Sequence, residues 1–446
     1  MAIISQEPVV KVGILERIPE VKGSFQGKFT VANVIGLKGG FAVRSERGTV
    51  IFTNDEGQRI LSEDELVCQP LEQATFVLKN VKIGIGFHWE RLEDETFEGR
   101  LRLVAQDGRA ITAINEIGLE SYLKSVISSE MSANAPLELL RAHAIVSRSW
   151  LAAMLERRET QKPGGGHAET TIRGDNELIR WYDHEDHASF DVCADDHCQR
   201  YQGVTKIITR TAAEAVESTR GVFLVYDGKI CDARYSKSCG GLSEDFEAVW
   251  QQEEVPYLRS ISDAETKHKP IRSERDAERW IESQPEAYCN TTDEAILRAI
   301  LPSIDQGTRD FFRWKVEYAR EELEALIKKK SGIDFGTLLE LVPVSRGPSG
   351  RIIKLRIVGS ARSLTVGKEL EIRKWLSESH LYSSAFIVTA EKGPEGIPVK
   401  FVLKGAGWGH GVGMCQIGAA VMASKGHSAE QIVRHYFPGA EPERLY

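Results

Sequence analysis

The residue types most able to do chemistry are concentrated in residues 405–419, GAGWGHGVGMCQIGA. Six glycines, one Trp, one His and one Gln fall within this stretch. Glycines at this density allow positive φ angles and a close approach of the backbone to a ligand or a strand, at an entropic cost that a merely connecting loop has no reason to carry. His410 and Gln416 are the polar groups that such a loop would present. The alternative is a glycine-rich turn that leads into a helix starting near Gln416.

Metal-ligating side chains are grouped in a second stretch, HASFDVCADDHCQ (residues 187–199). The candidate ligands are His187, Cys193, His197 and Cys198, with His184 just upstream. Their spacing is within reach of a single loop around a tetrahedral ion, and thiolate with imidazole favours Zn²⁺. The sequence therefore predicts one zinc ion, with a structural or cleft-shaping role.

Other interpretations of this stretch stay open. The two cysteines could form a short-loop disulfide or remain free thiols on a polar loop. Because adjacent His197 and Cys198 cannot easily both bind, His187, Cys193 and Cys198 are the safer ligands. Three protein ligands with water in the fourth position would suit a zinc-dependent hydrolase.

Glu130 is the candidate acid. It closes the amphipathic run YLKSVISSE and is followed by Met131 and the non-helical residues SANA. A carboxyl group at the end of an apolar segment is poorly solvated and can stay protonated near neutral pH as a general acid. By position alone, Glu130 is one glutamate among many.

Two arginines interrupt a helix that is predicted to start at Pro136 and to be buried on nearly every face. Arg141 and Arg148 are seven positions apart, so they lie within about 20° of each other, two turns apart. Buried guanidinium groups need partners, which could be an internal carboxylate or an anionic substrate.

Four motifs together resemble the SpoIID/LytB family. They lie in the family's order at residues 122–131, 136–150, 235–241 (YSKSCGG) and 407–419. The resemblance covers about residues 115–265 and 340–440 and leaves out the first hundred residues. It implies a SpoIID-like catalytic region with an open glycan groove.

The activity that the resemblance implies is that of a peptidoglycan lytic transglycosylase. Such an enzyme cuts the β-1,4 bond between N-acetylmuramic acid and N-acetylglucosamine and leaves a 1,6-anhydro product. The family's catalytic glutamate corresponds to Glu130, although Ser132 stands where many members have Pro. No partner carboxylate is needed, because the hydroxyl group of the substrate supplies the nucleophile.

The predicted substrate-binding set consists of Arg141, Arg148, Tyr235, Lys237, His410 and Gln416. Of the two arginines, the resemblance favours an anionic substrate as the partner of Arg148. Arg148 and Lys237 are candidates for holding the lactyl carboxylate of muramic acid. Tyr235 and His410 would stack and hydrogen bond, while Gln416 would orient a neighbour. Tyr235 could equally be a core aromatic residue, and His410 a structural donor between loops.

Two cysteines lie inside the glycine motifs. Cys239 and Cys415 are expected to be neighbours, because their motifs should converge. A Cys nucleophile paired with His410 is conceivable on residue type, but such pairs arise by chance in a chain with eleven histidines. A different class of function is also open, since family members described as amidase enhancers suggest a glycan-binding protein that stimulates a cell-wall amidase without cutting sugar itself.

Composition limits the class of protein. The chain has 446 residues, about two to three domains' worth, with 41% hydrophobic and 27% charged residues, as in globular proteins. A net charge of −8 argues against bulk binding to nucleic acid or anionic membrane. Seven cysteines in 446 residues are too sparse for a disulfide scaffold. Because seven is an odd number, at least one thiol is free or bound to metal.

The predicted architecture is α+β. Short β-branched runs over residues 8–115 predict a β-rich N-terminal module (residues 1–112) followed by the SpoIID/LytB-like region (113–446), although the strands could instead join one sheet with later residues. A variable helical insertion is expected at about 265–340. Its predicted helices run from Thr291, in a capping box, to about Leu301, and from Arg320 to Lys330, stopped by Gly332; the strand 351–358 follows.

Localisation is not settled by the sequence. No stretch approaches the roughly eighteen apolar residues of a membrane-spanning helix, and the first residues lack the pattern of a signal peptide. The chain as given is therefore addressed to the cytosol, whereas the family resemblance implies the cell envelope.

Overall fold

The computed structural model describes residues 4–85, 90–160, 170–182, 187–207, 209–301 and 310–446. His184 lies outside these residues. The chain divides into two compact units: unit 1 comprises Met1–Arg148, His184–Val222 and Arg444–Tyr446, and unit 2 comprises Ser149–Asp183 and Phe223–Glu443. Helices and strands both contribute, so the predicted α+β class is confirmed. The predicted division at residue 112 stays a prediction.

The described strands are numbered in chain order. The first twelve are β1 Val9–Ile18, β2 Glu20–Val31, β3 Val34–Glu46, β4 Thr49–Asn54, β5 Arg59–Glu63, β6 Glu65–Pro70, β7 Thr75–Ile83, β8 Arg91–Phe97, β9 Arg100–Gln106, β10 Ala110–Gly118, β11 Thr171–Arg173 and β12 Glu177–Arg180. The others are β13 Val192–Cys193, β14 Val222–Tyr226, β15 Lys229–Ile230, β16 Tyr235–Ser236, β17 Arg313–Ala319, β18 Leu338–Arg346, β19 Ile352–Gly359, β20 Ser363–Gly367, β21 Phe386–Lys392, β22 Pro398–Ala406, β23 Met414–Cys415 and β24 Glu441–Arg444.

The described α-helices are α1 Leu119–Glu130, α2 Leu137–Thr160, α3 Arg210–Ser218, α4 Phe246–Val249, α5 Glu274–Glu282, α6 Glu294–Ile300, α7 Arg320–Ser331, α8 Glu369–Trp375, α9 Gln416–Ser424 and α10 Ala429–Tyr436. Short 3₁₀ turns occur at Gly203–Lys206 and Pro256–Leu258. None of the described helices combines the length and the apolar character that a membrane crossing requires.

Unit 1 is built on an eleven-stranded sheet in the order β13-β1-β10-β9-β6-β2-β3-β4-β5, with β7 pairing β2 and β8. Alternating apolar side chains on these strands bury one face, where Phe25 stacks on Phe29 and Phe76 on Phe97. The β-rich pattern expected for residues 8–115 is therefore confirmed. The sheet also takes in β13, which pairs with β1 in parallel, so the alternative of one sheet shared with later residues holds at this edge.

Helix α1 follows β10 directly and ends at Glu130, where the expected non-helical segment begins with Met131 in an extended conformation. The helix is buried along most of its length, as the amphipathic run predicted. Glu130 therefore lies at the C-terminal end of a helix whose axis is fixed by packing.

Unit 2 contains several smaller sheets. A five-stranded sheet has the order β11-β12-β20-β19-β18, and two three-stranded sheets have the orders β15-β14-β24 and β17-β22-β21. The short strands β16 and β23 pair in parallel. Helices α7 and α8 pack on an apolar core that includes Trp314, Phe386 and Phe401.

Two helices of unit 2 test the predicted boundaries. Helix α7 ends where Gly332 adopts φ +72°, as expected from the glycine stop signal. Helix α6 begins later than predicted: Asp293, not Thr291, is its N-cap, because the Asp293 carboxylate accepts the backbone N–H groups of Ala295 and Ile296. The predicted strand 351–358 corresponds to β19.

Candidate active site

Glu130 is partly exposed at the end of α1. Its Oε1 accepts the backbone N–H of Arg200 at 2.9 Å. Arg200 in turn donates through Nη1 to the Ser129 carbonyl at 3.3 Å and through Nε to Asp196 at 3.0 Å. The last turn of α1 is thus bound to the segment that follows the predicted metal ligands, and both elements fix the orientation of the Glu130 carboxylate.

All four predicted metal ligands come together in unit 1. The Cys198 Sγ lies 3.4 Å from His187 Nε2 and 3.4 Å from His197 Nδ1, and Cys193 Sγ lies 3.9 Å from His197 Nδ1. The four ligand atoms all lie within 4.8 Å of one another. The side chains of adjacent His197 and Cys198 both belong to this group, and whether both bind one ion stays a prediction.

This donor set fits a tetrahedral ion. With metal–sulfur and metal–nitrogen distances of about 2.3 and 2.0 Å, tetrahedral ligand atoms lie roughly 3.3 to 3.8 Å apart, close to the observed separations. Hydrogen bonding from Cys198, supported by His187 and His197, lowers the pKa of the Cys193 thiol, although burial opposes this effect. The thiols and imidazoles at this position are a possible metal-binding group; the identity of the ion stays a prediction.

The loop that carries these ligands is held on both sides. Cys193 belongs to β13, whose neighbour Ala194 donates its N–H to the Gly13 carbonyl of β1 at 3.0 Å. The Asp195 carboxylate accepts the N–H groups of Gly84 and Ile85 at 3.1 and 2.9 Å. His187 stacks on Phe190 with ring centroids 4.4 Å apart. These contacts with the sheet and with residues 84–85 hold the ligand positions together.

The Arg148 side chain is fully enclosed, with 0% of its surface exposed. It forms a bidentate pair with Glu120, at 3.0 Å from Nε and 2.7 Å from Nη2, and also donates to the Val222 carbonyl at 3.0 Å. Burial alone would raise the pKa of Glu120, but the pairing with Arg148 holds it below its ordinary value. This geometry supports the internal-carboxylate alternative, and contact of Arg148 with a substrate stays a prediction that the enclosure does not favour.

Arg141 lies in a more open environment than Arg148. Its guanidinium donates to Glu138 at 2.6 Å and to Ser218 at 3.0 Å, and 29% of the side chain is exposed. Arg141 and Arg148 have the same predicted alternatives in the sequence but differ in accessibility. The reason is that Arg148 faces the buried N-terminal end of α1.

The glycine loop belongs to unit 2 and adopts the backbone geometry that its composition predicts. Gly407, Gly409, Gly411 and Gly413 have φ angles of +75°, +94°, +78° and +73°. At Gly413 a Cβ atom would lie 2.1 Å from the Arg234 carbonyl oxygen. Every second residue from 407 to 413 thus requires glycine for its backbone conformation, and at Gly413 a Cβ atom would also have no room.

The YSKSCGG segment converges on this loop. Tyr235 and Met414 are partners in the parallel β16–β23 pair, and the Trp408 N–H donates to the Ser238 carbonyl at 2.8 Å. Arg351 connects the two segments, since it is 1% exposed and donates to the carbonyls of Gly409 at 3.1 Å and Cys239 at 3.2 Å. Both motifs were predicted from the sequence, but this buried cation was not.

His410 is partly buried within unit 2 and its ring lies edge-on to Trp250, with centroids 5.0 Å apart. Its Nδ1 accepts the Val412 N–H at 3.0 Å. Loss of hydration, reinforced by nearby arginines such as Arg234 and Arg351, lowers the pKa of His410 to about 3, and a hydrogen bond with the Tyr235 backbone opposes this shift. A neutral ring with these bonds supports the alternative role of a structural connection between loops.

The remaining predicted contacts also belong to unit 2. Tyr235 and Lys237 are partly exposed, whereas Gln416 is 2% exposed at the start of α9. Glu130, Arg141 and Arg148 belong to unit 1. The substrate roles assigned to these side chains stay predictions.

Two residues that contact the predicted site residues, Arg200 and Glu120, were not predicted from the sequence. Arg200 contacts Glu130 through a backbone N–H, which carries no signal in the side-chain pattern. Glu120 could have been found, because it lies on α1 ten positions before Glu130, directly after Leu119 and two positions before Tyr122 in the amphipathic run.

Two stretches of the chain match family models. Residues 107–226 match SpoIID, described as a stage II sporulation protein. Residues 244–413 match a domain of unknown function, DUF8618. Glu130, Arg148 and the His187 group lie in the first match, and His410 lies in the second.

Several curated proteins are similar to the chain. Stage II sporulation protein D of Bacillus amyloliquefaciens is 23% identical over 74% of this chain and 75% of its own length. The amidase enhancer of Bacillus subtilis is 26% identical over 71% of this chain and 39% of its own length. An uncharacterized protein of Brachyspira hyodysenteriae is 24% identical over 85% and 84% of the two chains. Together with the SpoIID match, these relatives confirm the resemblance indicated by the four motifs.

Proposed function

We propose, from the premise that residues 107–226 form a domain of the SpoIID/LytB family, that this protein is a peptidoglycan lytic transglycosylase. It would cleave the β-1,4 bond between N-acetylmuramic acid and N-acetylglucosamine in glycan strands. The names of its relatives, a stage II sporulation protein and an amidase enhancer, support a function related to the cell wall.

In the proposed reaction one carboxyl group acts twice. Glu130 donates its proton to the glycosidic oxygen, and the bond from that oxygen to C1 of muramic acid breaks. The resulting carboxylate takes the proton of the C6 hydroxyl while the C6 oxygen bonds to C1, which gives the 1,6-anhydro product and regenerates the acid. The nucleophile is intramolecular and therefore acts at a high effective concentration.

The observation that carries this proposal is the environment of Glu130. Glu130 is partly exposed at the end of a packed helix, and its carboxylate is oriented by the Arg200 N–H at 2.9 Å. An acid that acts on a polymer has to be both reachable and held in one direction. Glu120, the other carboxylate considered on α1, is 2% exposed and bound to Arg148.

The other residues have proposed roles of two kinds. Arg148 is a positioning residue, because its pair with Glu120 fixes the N-terminal end of α1 against α2. Lys237 remains the proposed partner of the lactyl carboxylate, and Tyr235, His410 and Gln416 remain proposed glycan contacts. Arg141 is partly exposed and keeps its proposed contact with an anionic group.

Zinc is the proposed ion for the group formed by His187, Cys193, His197 and Cys198. Two thiols and two imidazoles suit Zn²⁺, and four protein donors make a closed structural site. The ion would stabilise the loop that supplies the Arg200 N–H to Glu130. A closed set leaves no position for a water ligand, which makes a zinc-dependent hydrolase the weaker alternative.

The proposed domain organisation follows from the resemblance. A β-rich module over residues 1–112 would precede the catalytic region, 113–446, in which residues 265–340 form a variable insertion. The open glycan groove is part of the same proposal. Peptidoglycan glycan strands are the proposed partner.

The test is product analysis on purified, peptide-free glycan strands. Mass spectrometry of the soluble products should show 1,6-anhydromuramic ends with the unaltered protein, and Glu130→Gln should lower the rate by about 10³-fold or more. Glu65→Gln, which alters an exposed carboxylate of the same unit, is the matched control and should keep the rate. Equal product yields from the protein and Glu130→Gln would refute the role of Glu130.

A second candidate function is favoured by the amidase-enhancer relative. In this alternative the protein binds glycan and stimulates a cell-wall amidase without cutting sugar. Intact strands in both samples, together with retained binding to insoluble peptidoglycan and faster release of peptides by an added amidase, would support this function over the transglycosylase.

A further inference from the structure

A second group of possible metal ligands lies in unit 2, and all of its members are buried. Cys239, Asp263, Cys289 and Cys415 each have 2% or less of their surface exposed. Their ligand atoms lie within 4.8 Å of one another. Cys239 and Cys415 are in contact, as the convergence of their motifs predicted, since the Cys239 N–H donates to Cys415 Sγ at 3.3 Å.

We propose that these four residues form a metal site that binds one thiophilic divalent ion, with Zn²⁺ as the favoured occupant. The Sγ atoms of Cys239 and Cys289 are 3.8 Å apart. Two thiolates bound at about 2.3 Å to a tetrahedral ion lie about 3.8 Å apart, whereas a disulfide bond brings the sulfurs to about 2.05 Å. The observed spacing fits two ligands of one ion and is too long for a disulfide bond.

Backbone donors around the sulfurs fit thiolate ligands. Cys415 Sγ accepts the N–H groups of Cys239 and Gly418, at 3.3 and 3.4 Å, and Cys239 Sγ accepts that of Gly241 at 3.4 Å. N–H groups directed at a sulfur stabilise its anionic form and fix its orientation toward an ion. The Cys239 and Gly241 N–H groups come from the YSKSCGG segment, and the Gly418 N–H comes from the first turn of α9, for which Cys415 is the N-cap.

The Asp263 carboxylate is oriented in the same way. Its Oδ1 accepts the Tyr436 hydroxyl at 2.5 Å, and its Oδ2 accepts the Cys289 N–H at 2.8 Å. Each carboxylate oxygen has a second lone pair, so both bonds leave capacity for a metal. Hydrogen-bonded carboxylates of this kind are typical of the surroundings of metal sites.

Charge gives a further reason for an ion. Burying a carboxylate beside three thiols is costly unless a cation compensates them or the groups retain protons. In the described part of the chain, the nearby guanidinium of Arg313 donates to the carbonyls of Gly240 and Trp280 and not to these four ligands. When a divalent ion binds, four metal–ligand bonds form and the thiol protons leave to solvent, so the step needs no oxidant or reductant.

The test measures zinc in the intact chain after loading with Zn²⁺ under reducing conditions and removal of unbound metal. Cys289→Ser should lower the zinc content by one ion per chain relative to the unaltered protein. Cys231→Ser is the matched control, because Cys231 is a buried cysteine of the same unit outside the group, and it should lose no zinc. This difference does not depend on the transglycosylase proposal or on the zinc content of unit 1.

Two outcomes would overturn the site. One is an equal zinc content in the unaltered protein and in Cys289→Ser. The other is a Cys239–Cys289 disulfide in the protein as isolated, detected as a mass lower by two hydrogens and a cross-linked peptide. If Cys289→Ser does not fold, Co²⁺ loaded into Cys193→Ser/Cys198→Ser, which has no thiol left in the His187 group, gives a second test: a strong sulfur-to-cobalt charge-transfer band is expected, and its absence would refute the proposal.

Discussion

The two groups of thiol ligands use similar chemistry in opposite surroundings. In unit 1, the His187 group is partly exposed, and its four members come from one loop. In unit 2, the Cys239 group is buried, and its four members come from distant parts of the sequence. A metal in the first group would order one loop, whereas a metal in the second would connect segments that are far apart in the chain.

The same contrast between accessible and enclosed groups separates two carboxylates of α1. Glu130 is partly exposed beside the loop of the His187 group, and Glu120 is enclosed with Arg148. Accessible groups are available for chemistry, while enclosed ones contribute to stability, because a buried charge without its partner is strongly destabilising. Residue type alone therefore does not distinguish a carboxylate with a functional role from one with a structural role on α1.

Metal release should show the largest difference between the two groups. With both sites loaded, a coloured chelator should remove zinc in two phases whose rates differ by about 10³-fold or more. An enclosed site has to open first, and an opening free energy of roughly 4 kcal/mol lowers the open population by that factor. Stopped-flow absorbance measures both phases.

Variants assign the phases. Cys193→Ser should remove the fast phase, and Cys289→Ser should remove the slow one. A single phase in the unaltered protein that releases two zinc ions would break the distinction between accessible and enclosed sites.

Arg148→Met should lower the free energy of unfolding by about 3 to 5 kcal/mol, because it leaves the buried Glu120 carboxylate without its cation. The double variant Glu120→Gln/Arg148→Met should lose less, since no buried charge then remains unpaired. Denaturant unfolding measures both losses. Similar losses in the single and double variants would contradict an enclosed ion pair.

The pH dependence of this loss has a defined sign. Pairing lowers the pKa of Glu120 below its ordinary value of 4.5, so the stability that the pair contributes is present above about pH 4.5 and is lost as the pH falls through the lowered value. The difference between Arg148→Met and the unaltered protein should therefore shrink in acid.

The parts of the molecule that the sequence predicted are those with local signals. The His187 group was found because its ligands share one loop, and the end of α7 because Gly332 is a local stop signal. The positive φ angles of the glycine loop likewise follow from composition.

The parts that it could not predict depend on contacts across long sequence separations. Asp263 and Cys289 join Cys239 and Cys415 only through the fold, so no spacing pattern connects them. The start of α6 at Asp293 was missed because two competing caps lie close together and side-chain geometry chose between them.

Two glycine substitutions in unit 2 separate the stability cost of backbone conformation from the cost of close packing. Gly413 and Gly426 both have positive φ angles, +73° and +91°, but an added Cβ would meet the Arg234 carbonyl oxygen at 2.1 Å only at Gly413. Gly426→Ala should cost about 1 kcal/mol from conformation. Gly413→Ala should cost roughly 2 to 3 kcal/mol because overpacking is added. Thermal or denaturant unfolding measures both losses of stability. Equal losses for the two variants would show that the loop can shift to make room for the Cβ atom at position 413.

The smallest predicted effect concerns the hydroxyl groups beside the two sites. Tyr436→Phe removes a hydrogen bond to the Asp263 carboxylate and should weaken zinc binding at the Cys239 group by about tenfold, since groups that orient a ligand typically contribute that much. Tyr122→Phe is the matched variant, because the Tyr122 hydroxyl donates to Gln199 at 3.2 Å rather than to a ligand, and it should leave zinc affinity at the His187 group nearly unchanged. Chelator competition measures each affinity after the other site has been removed with Cys193→Ser or Cys289→Ser. Equal effects of the two substitutions would mean that Asp263 is not a ligand, and the enclosed site would then have to rest on its three sulfurs.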